Sequence, residues 1–472
     1  MENHDKRKAK MNCSKTASVA LSLALTTAFA DPSVKITSAS VESGQDGGVL
    51  SVRYQLSDES AIVTLGADVT AAGVRPLSAD WMRRASGDVN RLVEPGTERS
   101  IECPIGDADL ELFGKGKARV RITLWSPAQP PDYMSAEIGG DKAVRYYAST
   151  NALPYPATNH YWMVERILFR KIPATGVNWR MTSVSQKRIV TSNIDYYFSV
   201  FPYTCGQYKT LHGTDTTKAL SSYLDGQRDY SPLCGYSYAD LRGTCDVNNR
   251  AYPLVEGSEL YQLNAQLGVS VDIPTEAQWE YACRAGCWAD LYTGKEATEE
   301  NGKEIAWFKP NSDGKIHPVG CKLPNAWGIY DLCGNCDEWC RDYFAVSGEN
   351  EMGDSTFLNP LVNPQGPYYN CHVVMSGGHA TRVLRGGHRS AALNDLKLTR
   401  RGYFTYDVAD ASWGCRLRHE ISGGSRFTNP TSYYQDLDTK ASTNDFKPEG
   451  HRNPGIIEAT KRCLDGLAIF VR

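Results

Sequence analysis

The chain has 472 residues, 41% of them hydrophobic and 22% charged, with a formal net charge of −3. That length allows two or three domains with a sizeable core, and that composition excludes a mainly disordered chain. So little net charge gives no basic face for nucleic acid, and no nucleic-acid partner is expected. Tyr (26) outnumbers Phe (12) and stands beside 10 Trp. Many rings thus carry a hydrogen-bonding end, which suits half-buried, ligand-facing surfaces as well as an ordinary core.

Lys6, Arg7, Lys8, Lys10 and Lys15 precede an apolar run from Ala17 to Leu25, and Ala28-Phe29-Ala30 supplies a small-x-small cleavage site. This is the pattern of a secretory signal peptide over 1–30, too short to span a bilayer. The mature chain is expected to begin near Asp31 and to be secreted, periplasmic or held at the cell surface. No later segment is apolar enough to cross a membrane, so no membrane span is expected. Export permits disulfides. Of 14 cysteines, Cys13 lies in the signal, and the odd number left implies at least one thiol free or paired between chains. Cys333, Cys336 and Cys340 are closely spaced but lack a fourth ligand for structural zinc, so disulfides or buried small side chains are expected.

From Pro32 to Trp125 the pattern is that of β-strands. Leu50, Val52, Tyr54 and Leu56 alternate with Ser51, Arg53 and Gln55, and Val120, Ile122 and Leu124 with Arg121 and Thr123, which puts each set on one face of a half-buried strand. Turns rich in Gly, Ser and Asp separate the runs. Short strands without a long helical pattern resemble a small all-β sandwich of the immunoglobulin or fibronectin type III kind over 31–126. It carries no catalytic constellation and reads as a spacer or docking module. Ser126-Pro127-Ala128-Gln129-Pro130-Pro131 is stiff and extended, and 127–160 is expected to be a linker.

The second domain, 161–420, opens with a strand over 164–173 and another over 195–201. Ser237 opens a short helix. Ser258 precedes Leu260, Leu263 and Leu267 at helical spacing, and Gly268 is expected to end that helix in left-handed geometry. Thr275 and Gln278 form a capping box, a firm helix start. The run from Pro324 to Trp339 suits neither helix nor strand. Its Gly334-Asn335 step needs permissive backbone angles, so long-range packing is expected to place its side chains.

That run shares a family's order and spacing with five other motifs. They are Leu263-Asn264-Ala265-Gln266-Leu267-Gly268, Ile273-Pro274-Thr275-Glu276-Ala277-Gln278-Trp279-Glu280-Tyr281-Ala282, Asn311-Ser312-Asp313-Gly314-Lys315 with His317-Pro318-Val319-Gly320, Arg382-Val383-Leu384-Arg385-Gly386-Gly387 and Trp413-Gly414-Cys415-Arg416-Leu417. The segment 164–418 resembles the sulfatase-modifying factor family, formylglycine-generating enzyme and its relatives. The resemblance implies an α+β fold related to the C-type lectins, with little regular secondary structure and long ordered loops.

Active members of that family resemble copper oxidases that convert a sulfatase cysteine to formylglycine. They hold Cu(I) between two thiolates soon after the Arg-Gly-Gly turn, as a soft ion of low coordination number requires. Counted on from Gly387 without a gap, those positions are Ala391 and Leu396, neither of which binds copper, while Arg400 stays in register. The family's serine after the turn is His388, and its tryptophan between Cys336 and Glu338 is Asp337. Copper is therefore not expected unless Cys333, Cys340 or Cys371 supplies the pair. No catalytic residue is assigned, and Asp337, His388, Arg385, Ala391, Leu396 and Arg400 are the candidate cleft residues. Asp337 and His388 either orient each other for acid–base or binding work or fill space as a hydrogen-bonded pair. The family also implies a structural calcium ion at Asp331, Gly334, Cys336 and Glu338, where carboxylates and carbonyls supply hard oxygen donors. The alternative is a solvated acidic turn.

Residues 421–472 read as a C-terminal extension with a hinge at 422–425, a polar stretch from Tyr433 and a short amphipathic helix over 456–467. The expected function is that of a secreted, non-oxidase binding protein for a peptide or a glycan. The alternative is a formylglycine-generating oxidase that activates sulfatases, or a changed activity in the same cleft. A purely architectural surface protein is the third reading.

Overall fold

The computed structural model describes residues 31–44, 47–69, 85–114, 118–182, 187–243, 253–344, 360–364, 380–421 and 430–437. The expected signal peptide, the hinge at 422–425, the helix over 456–467 and Cys371 lie outside them. Strands β1 (Ser33–Gly44), β2 (Gly47–Ser57), β3 (Ala61–Val69), β4 (Ser86–Gly87), β5 (Arg91–Val93), β6 (Gly96–Ile105) and β7 (Ala118–Trp125) build most of the first domain. In β2 the alternation holds: Leu50, Val52, Tyr54 and Leu56 are buried while Val49, Arg53 and Ser57 are exposed. Two four-stranded sheets result, one in the order β1-β2-β6-β4 and one in which β5, β3 and β7 are followed by a C-terminal strand, Thr431–Asp436. A single apolar cluster draws Leu50, Val52, Ile101, Val120, Ile122 and Leu124 from both sheets.

The C-terminal strand corrects the reading of that region as a polar extension. Thr431–Asp436 pairs antiparallel with β7 over its whole length, Ser432 opposite Thr123 and Tyr434 opposite Arg121. An edge strand is held by backbone groups and needs few apolar side chains. The first domain is thus discontinuous in sequence, with the second domain between its last two strands.

The remaining strands are β8 (Tyr133–Glu137), β9 (Val144–Tyr147), β10 (Arg166–Ile172), β11 (Trp179–Thr182), β12 (Lys187–Thr191), β13 (Tyr196–Ser199), β14 (Ala306–Trp307), β15 (Cys333–Gly334), β16 (Asp337–Tyr343), β17 (Leu361–Val362), β18 (Thr381–Arg385), β19 (Gly402–Thr405), β20 (Trp413–Gly414) and β21 (Arg418–Glu420). They form sheets ordered β21-β13-β10-β8-β9, β11-β12-β17, β14-β15 and β19-β18-β16-β20. Residues 127–160, expected as a linker, therefore supply two strands of the largest sheet. Tyr133 to Ala136 are buried without alternation, the pattern of a strand covered on both faces, which a period-two search passes over.

Among the described residues the helices are short: α1 (Asp107–Gly114), α2 (Tyr161–Val164), α3 (Cys205–His212), α4 (Tyr238–Arg242), α5 (Glu259–Gln266), α6 (Glu276–Arg284) and α7 (Glu299–Ile305). None is long and apolar enough to cross a membrane. The capping box at the start of α6 forms, with Thr275 Oγ1 accepting from Gln278 N–H and Gln278 Oε1 accepting from Thr275 N–H. The end of α5 differs from expectation, since its cap, Leu267, is extended. Gly268 answers a different need: a Cβ there would lie 2.4 Å from the carbonyl oxygen of Lys142.

Candidate functional site

The site is built on the turn between β15 and β16. Gly334 and Asn335 take φ values of 74° and 64°, the left-handed region that their residue types permit. A Cβ on Gly334 would lie 2.3 Å from Trp307 O. The Asn335 side chain accepts His317 N–H at 3.0 Å and donates to His317 O at 2.9 Å, replacing the ladder that an irregular loop lacks. The turn thereby launches β16 with Asp337 and Glu338 buried side by side.

Glu338 receives Arg416 Nη2 at 2.8 Å, Arg416 Nε at 3.0 and 3.1 Å, and Trp279 Nε1 at 2.6 Å. The same guanidinium donates to the carbonyls of Ser199, Val200, Tyr330 and Asp331. Arg416 was legible as a member of its motif but not as the centre of this arrangement. An arginine in an otherwise apolar run, as in Gly414-Cys415-Arg416-Leu417, is the signal that pointed to it.

The six cleft candidates do not form one open surface. Arg385 is a buried strut, pairing with Glu280 at 2.8 Å and donating to the carbonyls of Leu398 and Arg400. Leu396 belongs to the apolar cluster of Ile305, Phe308 and Cys333, and Ala391 is buried nearby. His388 and Arg400 are partly exposed. Asp337 and His388 are not joined by a hydrogen bond: Asp337 Oδ1 accepts Gly387 N–H at 2.9 Å, and His388 Nδ1 accepts Ser390 N–H at 3.2 Å. Burial pushes the Asp337 carboxyl up to about 7 against the opposing charge of Arg400. Burial, aided by Arg389, lowers the His388 imidazole. Asp395, which sequence reasoning missed, accepts Arg400 Nε at 2.8 Å. Burial works to raise its carboxyl, but that bond together with the Ala392 N–H and the charge of Arg400 holds it below the usual range.

Of the calcium candidates, Asp331 is buried and its Oδ2 accepts Gly320 N–H at 2.7 Å; burial pushes its carboxyl up to about 6. Gly334 O accepts Cys336 N–H. Glu338 is already neutralised by Arg416, so the donor set fits a calcium ion only in part. Among the described residues no three His, Cys, Asp or Glu side chains converge as a metal site. Of the alternative thiols, Cys333 donates to Leu396 O at 3.3 Å and lies beside Cys283. Burial pushes the thiols of Cys283 and Cys340 well up. Apart from these candidates, a pocket of about 210 Å³ lies between Trp179, Tyr196, Gln278, Tyr281 and Asn363.

The sulfatase-modifying factor enzyme 1-like domain model matches residues 170–421, over half of the chain. The chain belongs to the sulfatase-modifying factor family. Formylglycine-generating enzyme of Streptomyces coelicolor is 29% identical over 168 residues, which cover 32% of this chain and 48% of that protein. The mouse enzyme of the same name is 33% identical over 116 residues, covering 22% of this chain and 29% of the enzyme. Serine/threonine-protein kinase pkn1 of Chlamydia pneumoniae is 28% identical over 150 residues, covering 32% of this chain and 21% of the kinase. The chain thus spans less than half the length of each of these relatives. Similar solved structures include Treponema denticola variable protein 1, with 24% identity and a TM-score of 0.41 over 54% of this chain and 95% of that one. PvdO from Pseudomonas aeruginosa follows, with 19% identity and a TM-score of 0.38 over 54% and 94%. The α+β organisation described above is that of the family domain.

Proposed function

We propose that the family domain of this chain is an exported binding module for a peptide or a glycan, without copper oxidase activity, and that the first domain is an immunoglobulin-type spacer. The observation that carries the reading is the filling of the two positions after Gly387. Ala391 and Leu396 offer no sulfur, and Leu396 is committed to the apolar core. A cuprous ion needs soft ligands held in fixed geometry. Beside them, partly exposed His388, Arg389, Asp395 and Arg400 offer a ligand both donors and acceptors. The proposal includes a structural calcium ion on the oxygens of Asp331, Gly334 and Cys336, with Glu338 shared with Arg416.

The test combines Cu(I) titration of the purified full chain, an assay of cysteine oxidation in a sulfatase peptide, and peptide and glycan arrays. The expected outcome is no stoichiometric copper, no turnover, and enrichment of one ligand class that Arg400→Ala weakens at least tenfold. Stoichiometric copper with turnover overturns the reading, and arrays that enrich nothing favour an architectural protein. Calcium titration is expected to show one site that Asp331→Asn weakens; no calcium heat in the parent chain removes the ion from the proposal.

A further inference from the structure

We propose that Cys234 and Cys336 are joined by a disulfide that ties the Gly334-Asn335 turn to the loop at 232–236. Their Sγ atoms lie 2.7 Å apart across 102 positions of sequence. Sulfurs in ordinary van der Waals contact rest at roughly the 3.5–4.0 Å of other large non-bonded atoms, and disulfide sulfurs at about 2.05 Å. The two sulfurs are therefore nearer to a bond than to a contact. Both are buried, and both backbones are fixed: Cys234 N–H donates to the Tyr223 hydroxyl at 3.0 Å and Cys336 N–H to Gly334 O at 2.7 Å. Gly414 makes the room, since a Cβ there would lie 2.8 Å from Cys336 Sγ and 2.6 Å from Leu233 O. Cys205 and Cys415 share the same apolar cluster, but Cys205 Sγ is directed to Pro232 O at 3.6 Å.

The oxidant is a disulfide, either small-molecule or carried by a protein. One cysteine thiolate attacks it, forms a mixed disulfide and releases one thiol; the second thiolate then displaces the other. Two electrons pass to the oxidant, and the two protons end on the released thiols. Burial of both sulfurs places the step during folding, before the cluster closes. The bond anchors the residue directly before Asp337 and Glu338, so the acidic turn is held by a covalent link as well as by Asn335.

The full chain, unfolded in urea with reductant, is refolded in a mixture of reduced and oxidised glutathione, blocked with N-ethylmaleimide, digested and mapped by mass spectrometry. The expected product is a Cys234–Cys336 linked peptide pair two hydrogens lighter than its free halves, with fragmentation separating Cys336 from Cys333 and Cys340. Reduction is expected to lower the melting midpoint by roughly 5–15 °C, a shift absent in Cys234→Ala. Full alkylation of both residues, or linkage of Cys336 to Cys205, Cys333 or Cys415, overturns the proposal. If Cys234→Ala does not fold, the linkage map of the parent chain decides alone.

Discussion

In the first domain strands of up to 12 residues pair in long antiparallel ladders, broken by single register shifts, and enclose a mainly aliphatic core. In the family domain most strands are far shorter, and Arg242, Arg382, Arg385 and Arg416 rank among its largest fully buried side chains. Glu280 bridges Arg284 and Arg385, and Glu276 holds Arg401 at 2.7 Å. Where backbone ladders are long, buried carbonyls are satisfied by neighbouring strands. Where they are short, guanidinium groups with five donors satisfy them instead. Long ladders tolerate change at the strand edge, whereas the arginine lattice ties many loops to a few side chains.

The largest test of that contrast is Arg416→Ala. It leaves the Glu338 carboxylate buried with Trp279 Nε1 but without its counter-charge, and takes a donor from four carbonyls, a loss of about 3–5 kcal/mol or a failure to fold, read by urea unfolding or soluble yield. A loss under about 1 kcal/mol would show that the lattice is not what holds the loops. Leu124→Ala in the first domain leaves a cavity and is expected to cost about 3 kcal/mol, measured in the same way.

A pH series sharpens the comparison further. Asp342 accepts Glu276 N–H at 2.6 Å, and burial, with Glu276 nearby, pushes its carboxyl up to about 7. Between its unfolded value near 4 and that folded value, the folded chain keeps a proton that the unfolded chain has released, so stability falls as pH rises through about 7. Asp342→Asn is expected to remove about 2 kcal/mol of that loss between pH 5 and 8. An unchanged pH slope in the variant would remove Asp342 as its source. The smallest effect is expected for Lys303→Ala, which breaks the exposed pair with Glu299 on α7 and should change stability by no more than about 0.5 kcal/mol.

Short-range signals were the legible ones. The alternation in β2 and β7, the Thr275–Gln278 box and the Gly334-Asn335 turn each depend on residues a few positions apart, so the chain states them locally. The family motifs, and the presence of Ala391 and Leu396 soon after Gly387, are likewise facts of sequence order. Partners distant in sequence were not legible. The sequence contains Arg416, Cys234 and Thr431–Asp436, but nothing local says that the arginine reaches Glu338, that the thiol meets Cys336, or that the strand closes a sheet begun at the other end. The same holds for Asp337 and His388, which accept the backbone N–H groups of Gly387 and Ser390 instead of bonding each other. These pairings are decided by which groups are left without water when the loops close, and only the tertiary structure settles that.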